Sequence, residues 1–153
     1  MKLLLAILFL SSTAFADDWS KDDVSRETVK QFFVAHLASY HPAVRTYNEI
    51  NPGIAYRKYS EDTFFAIGTY KNSISKQSVY AGVGIDIAKI SNVTASLTVG
   101  AITGYHVDVA PFIIPEVSVD FNDFKLIVNY IPKITIGNMT VDAAFGFSAA
   151  MKF

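Results

Sequence analysis

The chain alternates apolar and polar residues with a period of two over most of its length, and this pattern predicts β-strands. Val79, Val83 and Ile87, for example, share one face of a segment whose other face carries tyrosine, glycine and aspartate. We interpret eight segments as strands: 32–41, 48–58, 63–71, 78–88, 93–104, 112–121, 123–131 and 140–153. Short and long connections alternate between them, which is typical of an up-and-down barrel with tight turns at one end.

The last of these segments is apolar on one face and small or polar on the other, and it ends on an aromatic residue. Phe145, Phe147, Met151 and Phe153 lie on the apolar face. A strand of this kind resembles the final strand of bacterial outer-membrane barrels. Since backbone polar groups in lipid must be paired within the protein, a sheet with such an outer face has to close. The sequence therefore predicts an all-β fold, an eight-stranded antiparallel up-and-down outer-membrane β-barrel.

The beginning of the chain has the pattern of a secretion signal. Residues 1–16 carry one early charge, an apolar stretch from Leu3 to Leu10, and Ala14-Phe15-Ala16 as a small-x-small cleavage site. We therefore expect a signal peptide at 1–16, a single barrel domain at 17–153, and a place in the bacterial outer membrane. Residues 17–30 are charged and short of β-branched residues, which predicts a short amphipathic N-terminal helix, or a leader, at the periplasmic rim.

Composition narrows the functional classes. The chain has 153 residues, 13 lysines and arginines against 14 acids, and no cysteine, so nothing favours a nucleic-acid partner. The uncharged stretch from Ile90 to Tyr105 is too short and too polar for a membrane-spanning helix. No metal-ligand spacing or phosphate-binding loop occurs, so we expect no cofactor. A secreted soluble β-sandwich is the alternative that fits the same composition.

The histidines fall in the half of the predicted barrel that bears the longer connections. With the N-terminus in the periplasm, the connections at 42–47, 72–77, 105–111 and 132–139 face outward, near His36, His41 and His106. A histidine beside a serine such as Ser73 is the minimum for nucleophilic acyl transfer, because the imidazole takes the hydroxyl proton. Solvated loop surface is the alternative interpretation of the same residues.

Several short segments, in order and spacing, resemble one family, the outer-membrane lipid A palmitoyltransferases (the PagP-like barrels). They extend over most of the chain from His36 to Phe153. They are Tyr47-Asn48-Glu49, the run from Phe65 to Ser73 followed by Lys76, Tyr80 to Gly84, Val99 to Gly104, Pro111 to Pro115, and Tyr130-Ile131-Pro132.

The resemblance implies a catalytic group at the outer rim. Ser73 matches the loop serine that the family requires for activity, and Asn72 stands where the family has aspartate. His36 is the better match to the essential histidine, and His41 is its substitute. An amide accepts a hydrogen bond from imidazole but does not stabilise an imidazolium as a carboxylate does. Either Glu49 or another loop acid then orients the histidine, or the activity is slow, altered or absent.

The resemblance also implies a route and a pocket for an acyl chain. Gly84 matches the glycine at the floor of the family's acyl pocket, and it lies on the predicted inward face, where a missing side chain leaves room. Pro115 and Pro132 match prolines that flank a gap in the barrel wall through which a lipid enters. Proline cannot donate to a strand ladder, so both weaken pairing. Prolines also occur commonly where strands end and loops begin, and this explains Pro115 and Pro132 equally well.

Acidic residues on the predicted inward faces indicate that part of the lumen is polar. Asp86, Glu116 and Asp120 alternate with outward apolar residues, and the alternative to an acyl pocket here is a periplasmic-side polar plug in which they pair with Lys125 and Lys152. A lumen of this kind is less apolar than an acyl pocket should be.

These observations lead to one expected function and two alternatives. The first is an acyltransferase that moves an acyl chain from a phospholipid to lipid A or a similar lipid acceptor, as a membrane-embedded monomer without cofactor. The second is a non-catalytic barrel that binds a lipid or a partner through its external loops. The third is a phospholipase, in which water replaces the acceptor.

Overall fold

The computed structural model describes residues 29–42, 46–105, 107–136 and 139–153. The predicted signal peptide and residues 17–28 of the predicted N-terminal helix lie outside the described residues, as does His106; Lys30 already belongs to the first strand. Within the described part no helix is long and apolar enough to cross a membrane. The strands are β1 (Lys30–Tyr40), β2 (Ile50–Ser60), β3 (Thr63–Lys71), β4 (Gln77–Ile90), β5 (Val93–Ile102), β6 (Ala110–Phe121), β7 (Phe124–Ile131), β8 (Ile134–Ile136), β9 (Met139–Val141) and β10 (Ala144–Lys152).

Eight of these strands form a closed antiparallel barrel in the order β1-β10-β7-β6-β5-β4-β3-β2. The first and last strands close it, with Phe32 opposite Lys152 and Tyr40 opposite Phe145. The predicted fold class is thereby confirmed. We call the end that carries the two-residue turns and the C-terminal Phe153 the turn end, and the opposite end the loop end.

The two faces of the barrel wall differ in polarity, and this difference sets the environment of the protein. Outward positions are apolar and exposed, among them Phe33, Phe65, Ile67, Val83, Val99, Ile113, Val117, Leu126, Val128, Phe147 and Met151. Inward positions include buried polar side chains, among them Arg57, Thr94, Ser96, Thr98, Glu116, Ser118, Lys125 and Ser148. An apolar exterior around a polar interior is the pattern of a transmembrane β-barrel, so the soluble sandwich is wrong.

The three turns at the turn end are short, as predicted. Their central pairs begin with Glu61, Ser91 and Asn122, which have φ angles of 52°, 56° and 56°. Left-handed backbone suits tight turns between twisted strands. These turns fix the register of each hairpin, for example Ser60 opposite Thr63.

The connection between β7 and β10 differs from the prediction. Residues 132–139 were expected to form a loop before a strand at 140–153, but Ile134–Ile136 pairs with Met139–Val141 in a separate two-stranded sheet. The last barrel strand begins only at Ala144. The signal for a hairpin was present, because the two residues Gly137-Asn138 separate two short alternating runs.

Aromatic rings fill the lumen near the turn end. Phe32 packs edge-on against Tyr59 at 5.6 Å between ring centroids, and Tyr59 packs against Phe64 at 4.8 Å. The Lys125 ammonium lies 5.0 Å from the centre of the Tyr59 ring and 3.3 Å from the Asp120 carboxylate. A polar group at this end was predicted, and the Lys125–Asp120 pair belongs to it.

Glu116 does not join that group. Its carboxylate accepts a hydrogen bond of 2.7 Å from the Arg57 guanidinium and one of 2.6 Å from the Thr98 hydroxyl. The expected pairing of Glu116 with Lys125 or Lys152 is therefore wrong. The reason is the register of the closed barrel, which places β2 and β6 across the lumen from each other.

Candidate functional site

A cavity of about 230 Å³ occupies the lumen at the loop end. Its wall is mostly apolar, with Ile102, Phe112, Ile114, Ile131 and Val141 among the lining residues. This volume is below the range of about 300–1,000 Å³ that is typical of sites for whole drug-sized ligands. The space, which we call the loop-end cavity, therefore suits an apolar segment of a larger molecule.

His36 lies on the wall of this cavity with both ring nitrogens engaged. Its Nδ1 is 2.9 Å from the Ser148 hydroxyl, and its Nε2 is 2.9 Å from the Tyr80 hydroxyl. The ring also packs against Tyr70, with 5.3 Å between the ring centroids. The hydrogen-bond partner of the predicted base is thus Ser148, and the bonds found for His36 do not include Ser73.

Ser73 reaches the cavity from the connection between β3 and β4. Its backbone carbonyl accepts a hydrogen bond of 2.8 Å from the Asn48 amide, and its side chain bonds to Tyr105. The Tyr105 hydroxyl is also 3.1 Å from the Tyr70 hydroxyl. Burial raises the pKa of Tyr105, while its hydrogen bonds to Tyr70 and Ser73 oppose that shift. Tyr105 and Tyr70 therefore connect Ser73 to His36, which do not bond to each other directly.

Asn72 is fully buried and holds the β3–β4 connection together. Its Nδ2 donates to the Gly104 carbonyl at 2.8 Å and to the Ser78 hydroxyl at 3.0 Å. Its Oδ1 accepts from the backbone amides of Ile74 and Lys76 at 3.1 and 2.9 Å. The Asn72 side chain therefore stabilises the loop both as a donor through Nδ2 and as an acceptor through Oδ1. None of these four hydrogen bonds involves an imidazole.

We expect Asn72→Asp to destabilise this loop by about 1–3 kcal/mol, because a carboxylate keeps the acceptor but loses the donor toward the Gly104 carbonyl. Acidification should reverse part of the loss, since a protonated carboxyl donates again. Hydrogen exchange at the Lys76 amide measures the effect, and Asn92→Asp in an exposed turn is the matched control. Unchanged exchange in Asn72→Asp would show that the donor is dispensable.

His41 lies at the loop end of β1 and stacks on Tyr47 with 4.2 Å between ring centroids. Its backbone amide donates to the Glu49 carboxylate at 3.2 Å, and its Nδ1 is buried without a hydrogen-bond partner. Burial lowers the pKa of His41, while nearby Glu49 and Asp142 oppose that shift. His41 also belongs to the wall of the loop-end cavity.

Gly84 faces inward, as predicted, but the space beside it is filled. A Cβ built on Gly84 would overlap the ring of Phe64, which is only 3% exposed. Gly84 does not belong to the wall of the loop-end cavity. The expectation that its missing side chain leaves room for a methyl terminus is wrong in this structure, because an aromatic ring takes that room.

The barrel wall has a gap between β6 and β7 at the loop end. Their ladder runs from Phe121 opposite Phe124 to Glu116 opposite Asn129 and ends there. Beyond that point β6 continues to Ala110 with pairing only to β5, and β7 continues with pairing only to β10. The first residue of β6 without a β7 partner is Pro115, which has no N–H to offer.

The wall of the loop-end cavity includes residues beside this gap. Pro111 and Ile113 point outward from β6, yet both belong to the cavity wall, as does Pro132 just after β7. The two prolines singled out from the sequence therefore lie at different places. Pro115 is where the ladder stops, and Pro132 lies at the rim of the cavity.

Four buried polar atoms lack a hydrogen-bond partner among the described residues, and all four belong to residues of this cavity. They are Ser39 Oγ, His41 Nδ1, Asn51 Oδ1 and Arg57 Nε. The Asn51 amide orientation is fixed because its Nδ2 donates to the carbonyls of Asn48 and Lys71. Buried polar groups are normally satisfied, so the wall of this cavity offers polar atoms as well as apolar surface to a molecule that enters it.

Sequence reasoning missed Tyr80, Tyr105, Arg57 and Ser148 as members of the site. Alternation did place Tyr80 and Ser148 on inward faces, which was the available signal. Their contact with His36 depends on barrel closure, because Ser148 lies 112 positions further along the chain.

No protein-family model matches the chain, and no curated protein sequence matches it significantly. Among solved structures, the crystal structure of Neisserial surface protein A (NspA) is similar to it, with 20% sequence identity and a TM-score of 0.44. The match covers 82% of this chain and 96% of that chain. The chain itself is an eight-stranded transmembrane-type β-barrel, as the polarity of its two faces requires.

Proposed function

We propose that this protein is an outer-membrane barrel that admits one acyl chain of a membrane lipid sideways into its loop-end cavity. The observation that carries the proposal is the interrupted ladder between β6 and β7, beside which the cavity reaches the outer surface. The residues at the gap are apolar on both sides of the wall, so an acyl chain can pass without losing an apolar environment. The loop end then faces the outside of the cell.

Closing the gap with a disulfide tests the proposal. Continuing the register past Glu116 and Asn129 would place Ile114 opposite Ile131, so Ile114→Cys/Ile131→Cys is the closing pair. Ser118→Cys/Ile127→Cys, at residues already opposite each other, is the matched control. The natural chain has no cysteine, so no other disulfide interferes.

The measurement is photocrosslinking in vesicles with a phospholipid that carries a diazirine at the end of one acyl chain. We expect labels on inward residues such as Tyr70 and Phe112 in the parent protein. Oxidation of the closing pair should abolish these labels and reduction should restore them, while outward residues stay labelled throughout. Equal inward labelling of the oxidised closing pair would contradict lateral admission.

Acyl transfer is the second candidate, and a specific observation favours it. The cavity wall holds the Ser73 hydroxyl and two imidazoles: His36, bonded to a serine hydroxyl, and His41, whose Nδ1 has no hydrogen-bond partner among the described residues. These are the groups that acyl transfer from a phospholipid to lipid A or a similar acceptor needs. The PagP-like resemblance assigns His36 or His41 as base and Ser73 as the hydroxyl.

The barrel in detergent, mixed with labelled phospholipid and lipid A, tests this candidate when the products are resolved by mass. Acylated lipid A that disappears with Ser73→Ala and with one of the histidine variants is the expected result. Free fatty acid alone would indicate a phospholipase. Captured lipid without any product would leave a lipid-binding barrel.

A further inference from the structure

Ser148 is a buried serine directly bonded to an imidazole. It lies on the inward face of β10, 4% exposed, and is paired in register with His36 of β1. Its hydroxyl is 2.9 Å from His36 Nδ1, and the other ring nitrogen is 2.9 Å from the Tyr80 hydroxyl. In the neutral tautomer with a proton on Nε2, the ring donates to the Tyr80 oxygen and accepts the Ser148 proton. Tyr80 then holds the ring in the orientation that a base needs.

The same pair is open to the cavity. Ser148, His36 and Tyr80 all belong to the cavity wall. Three other buried inward serines, Ser78, Ser96 and Ser118, do not belong to it. Ser78 accepts a hydrogen bond from Asn72 at 3.0 Å, and Ser96 donates to the Asp86 carboxylate at 2.7 Å. Among these four inward serines of the described chain, Ser148 alone combines an imidazole partner with access from the cavity.

An unpaired hydrogen-bond donor shares this wall. The Arg57 side chain is 9% exposed, and its Nη2 is held by the Glu116 carboxylate at 2.7 Å. Its Nε lacks a partner within the described residues. A fixed, buried N–H without an acceptor can stabilise negative charge that develops on a carbonyl oxygen.

We propose that Ser148 is a nucleophile that takes the acyl group of a carboxylic ester lipid as a covalent intermediate, with His36 as its base. The Ser148 oxygen attacks the ester carbonyl carbon, and its proton passes to His36 Nδ1. Arg57 Nε–H donates to the carbonyl oxygen as it becomes negative. The bond to the alcohol then breaks, and the leaving alcohol takes the proton from His36, so acyl-Ser148 and a free alcohol result. Water or an acceptor hydroxyl then attacks the acyl carbon and passes its proton to His36 Nδ1. The bond to the Ser148 oxygen breaks, that oxygen takes the proton back, and a fatty acid or a new ester leaves the free serine.

The proposal rests on the proposed admission of a lipid chain, and it names the residue that would react with that lipid.

A long-chain alkyl fluorophosphonate, which transfers its phosphonyl group to an activated serine with loss of fluoride, tests the proposal. We expect one adduct on the folded barrel, mapped by peptide mass to Ser148. Ser148→Ala should remove it, and His36→Phe should slow it by about 100-fold or more. Ser118→Ala, a buried inward serine without an imidazole partner, is the matched control and should label normally.

Folding of each variant is checked by heat-modifiable migration. If Ser148→Ala does not fold, Ser148→Cys keeps a hydrogen-bonding group and should lose the phosphonyl adduct, because sulfur is a poor nucleophile toward phosphorus. An adduct on another residue, labelling that persists without Ser148, or no labelling of folded parent protein would overturn the proposal. Diazirine crosslinking on the same samples distinguishes failure of the Ser148 nucleophile from failure of lipid admission. Retained lumen labelling without a Ser148 adduct refutes only the nucleophile, whereas absent lumen labelling refutes lipid admission.

Discussion

Glu116→Ala will lower the free energy of unfolding of the barrel by about 3–5 kcal/mol, because it leaves the Arg57 guanidinium buried without its partner. The two side chains are 3% and 9% exposed and are joined at 2.7 Å, and Thr98 satisfies the second carboxylate oxygen. Reversible urea unfolding in lipid vesicles gives the midpoint and the slope from which the change is read.

Two further variants test whether the loss comes from leaving the Arg57 charge buried without a partner. Arg57→Met/Glu116→Leu removes both charges and should recover most of the loss, because well-packed apolar pairs often replace buried ion pairs without cost. Asp120→Ala removes the partner of Lys125 at 3.3 Å; the carboxylate is 29% exposed, and the lysine, although only 8% exposed, keeps its contacts with the Phe32 and Tyr59 rings, so the loss should be smaller than for Glu116→Ala. Equal losses for Glu116→Ala and Asp120→Ala would contradict the role of burial.

Gly84→Ala will destabilise the barrel by about 1–3 kcal/mol, because the added methyl group overlaps the Phe64 ring and forces it to move. Phe64 has little freedom to do so, since the Arg57 guanidinium lies 4.9 Å from its ring centre and Tyr59 packs on it. The midpoint of urea unfolding measures the change.

A double variant makes this expectation specific. In a Phe64→Leu background the smaller side chain leaves space at Gly84, so Gly84→Ala should cost clearly less than in the parent protein. Strict additivity of the two changes would show that the ring and the glycine do not share that space. That result would also mean that space beside Gly84 is available, so that the glycine could line an acyl pocket.

Alternation along the chain was sufficient to predict the barrel and the orientation of most side chains. The inward positions of Tyr80, Gly84 and Asp86 and the outward positions of Phe145 and Phe147 follow from a period of two, which the structure keeps. The short turns also followed from the sequence, because three pairs of polar residues separate strands of opposite direction.

The composition of the site could not be predicted in the same way. Which inward residues meet across the lumen depends on the stagger of all eight strands, and a pattern within one strand contains no information about it. Arg57 and Glu116 meet across the lumen, and His36 meets Ser148 because the ends of the chain close the barrel. Asn72 illustrates a second difficulty, since a side chain that resembles a catalytic position can be required by its own loop.

The gap between β6 and β7 was partly predictable. Pro115 interrupts the donors of a strand, and the sequence shows it plainly. The hairpin of β8 and β9, which follows the unpaired end of β7, was not predicted.

Two spaces in the lumen of the described barrel share no lining residue: the loop-end cavity holds about 230 Å³, and a charged pocket of about 640 Å³ lies at the turn end. The Arg57–Glu116 pair belongs to the wall of the former, and the Phe32 and Tyr59 rings belong to the wall of the latter. On the proposed lateral admission, we therefore expect a guest in the loop-end cavity to leave through the gap between β6 and β7 by which it entered. Any product formed there would compete with the next substrate for one passage, so turnover would be limited by departure and the protein would be subject to inhibition by its own product.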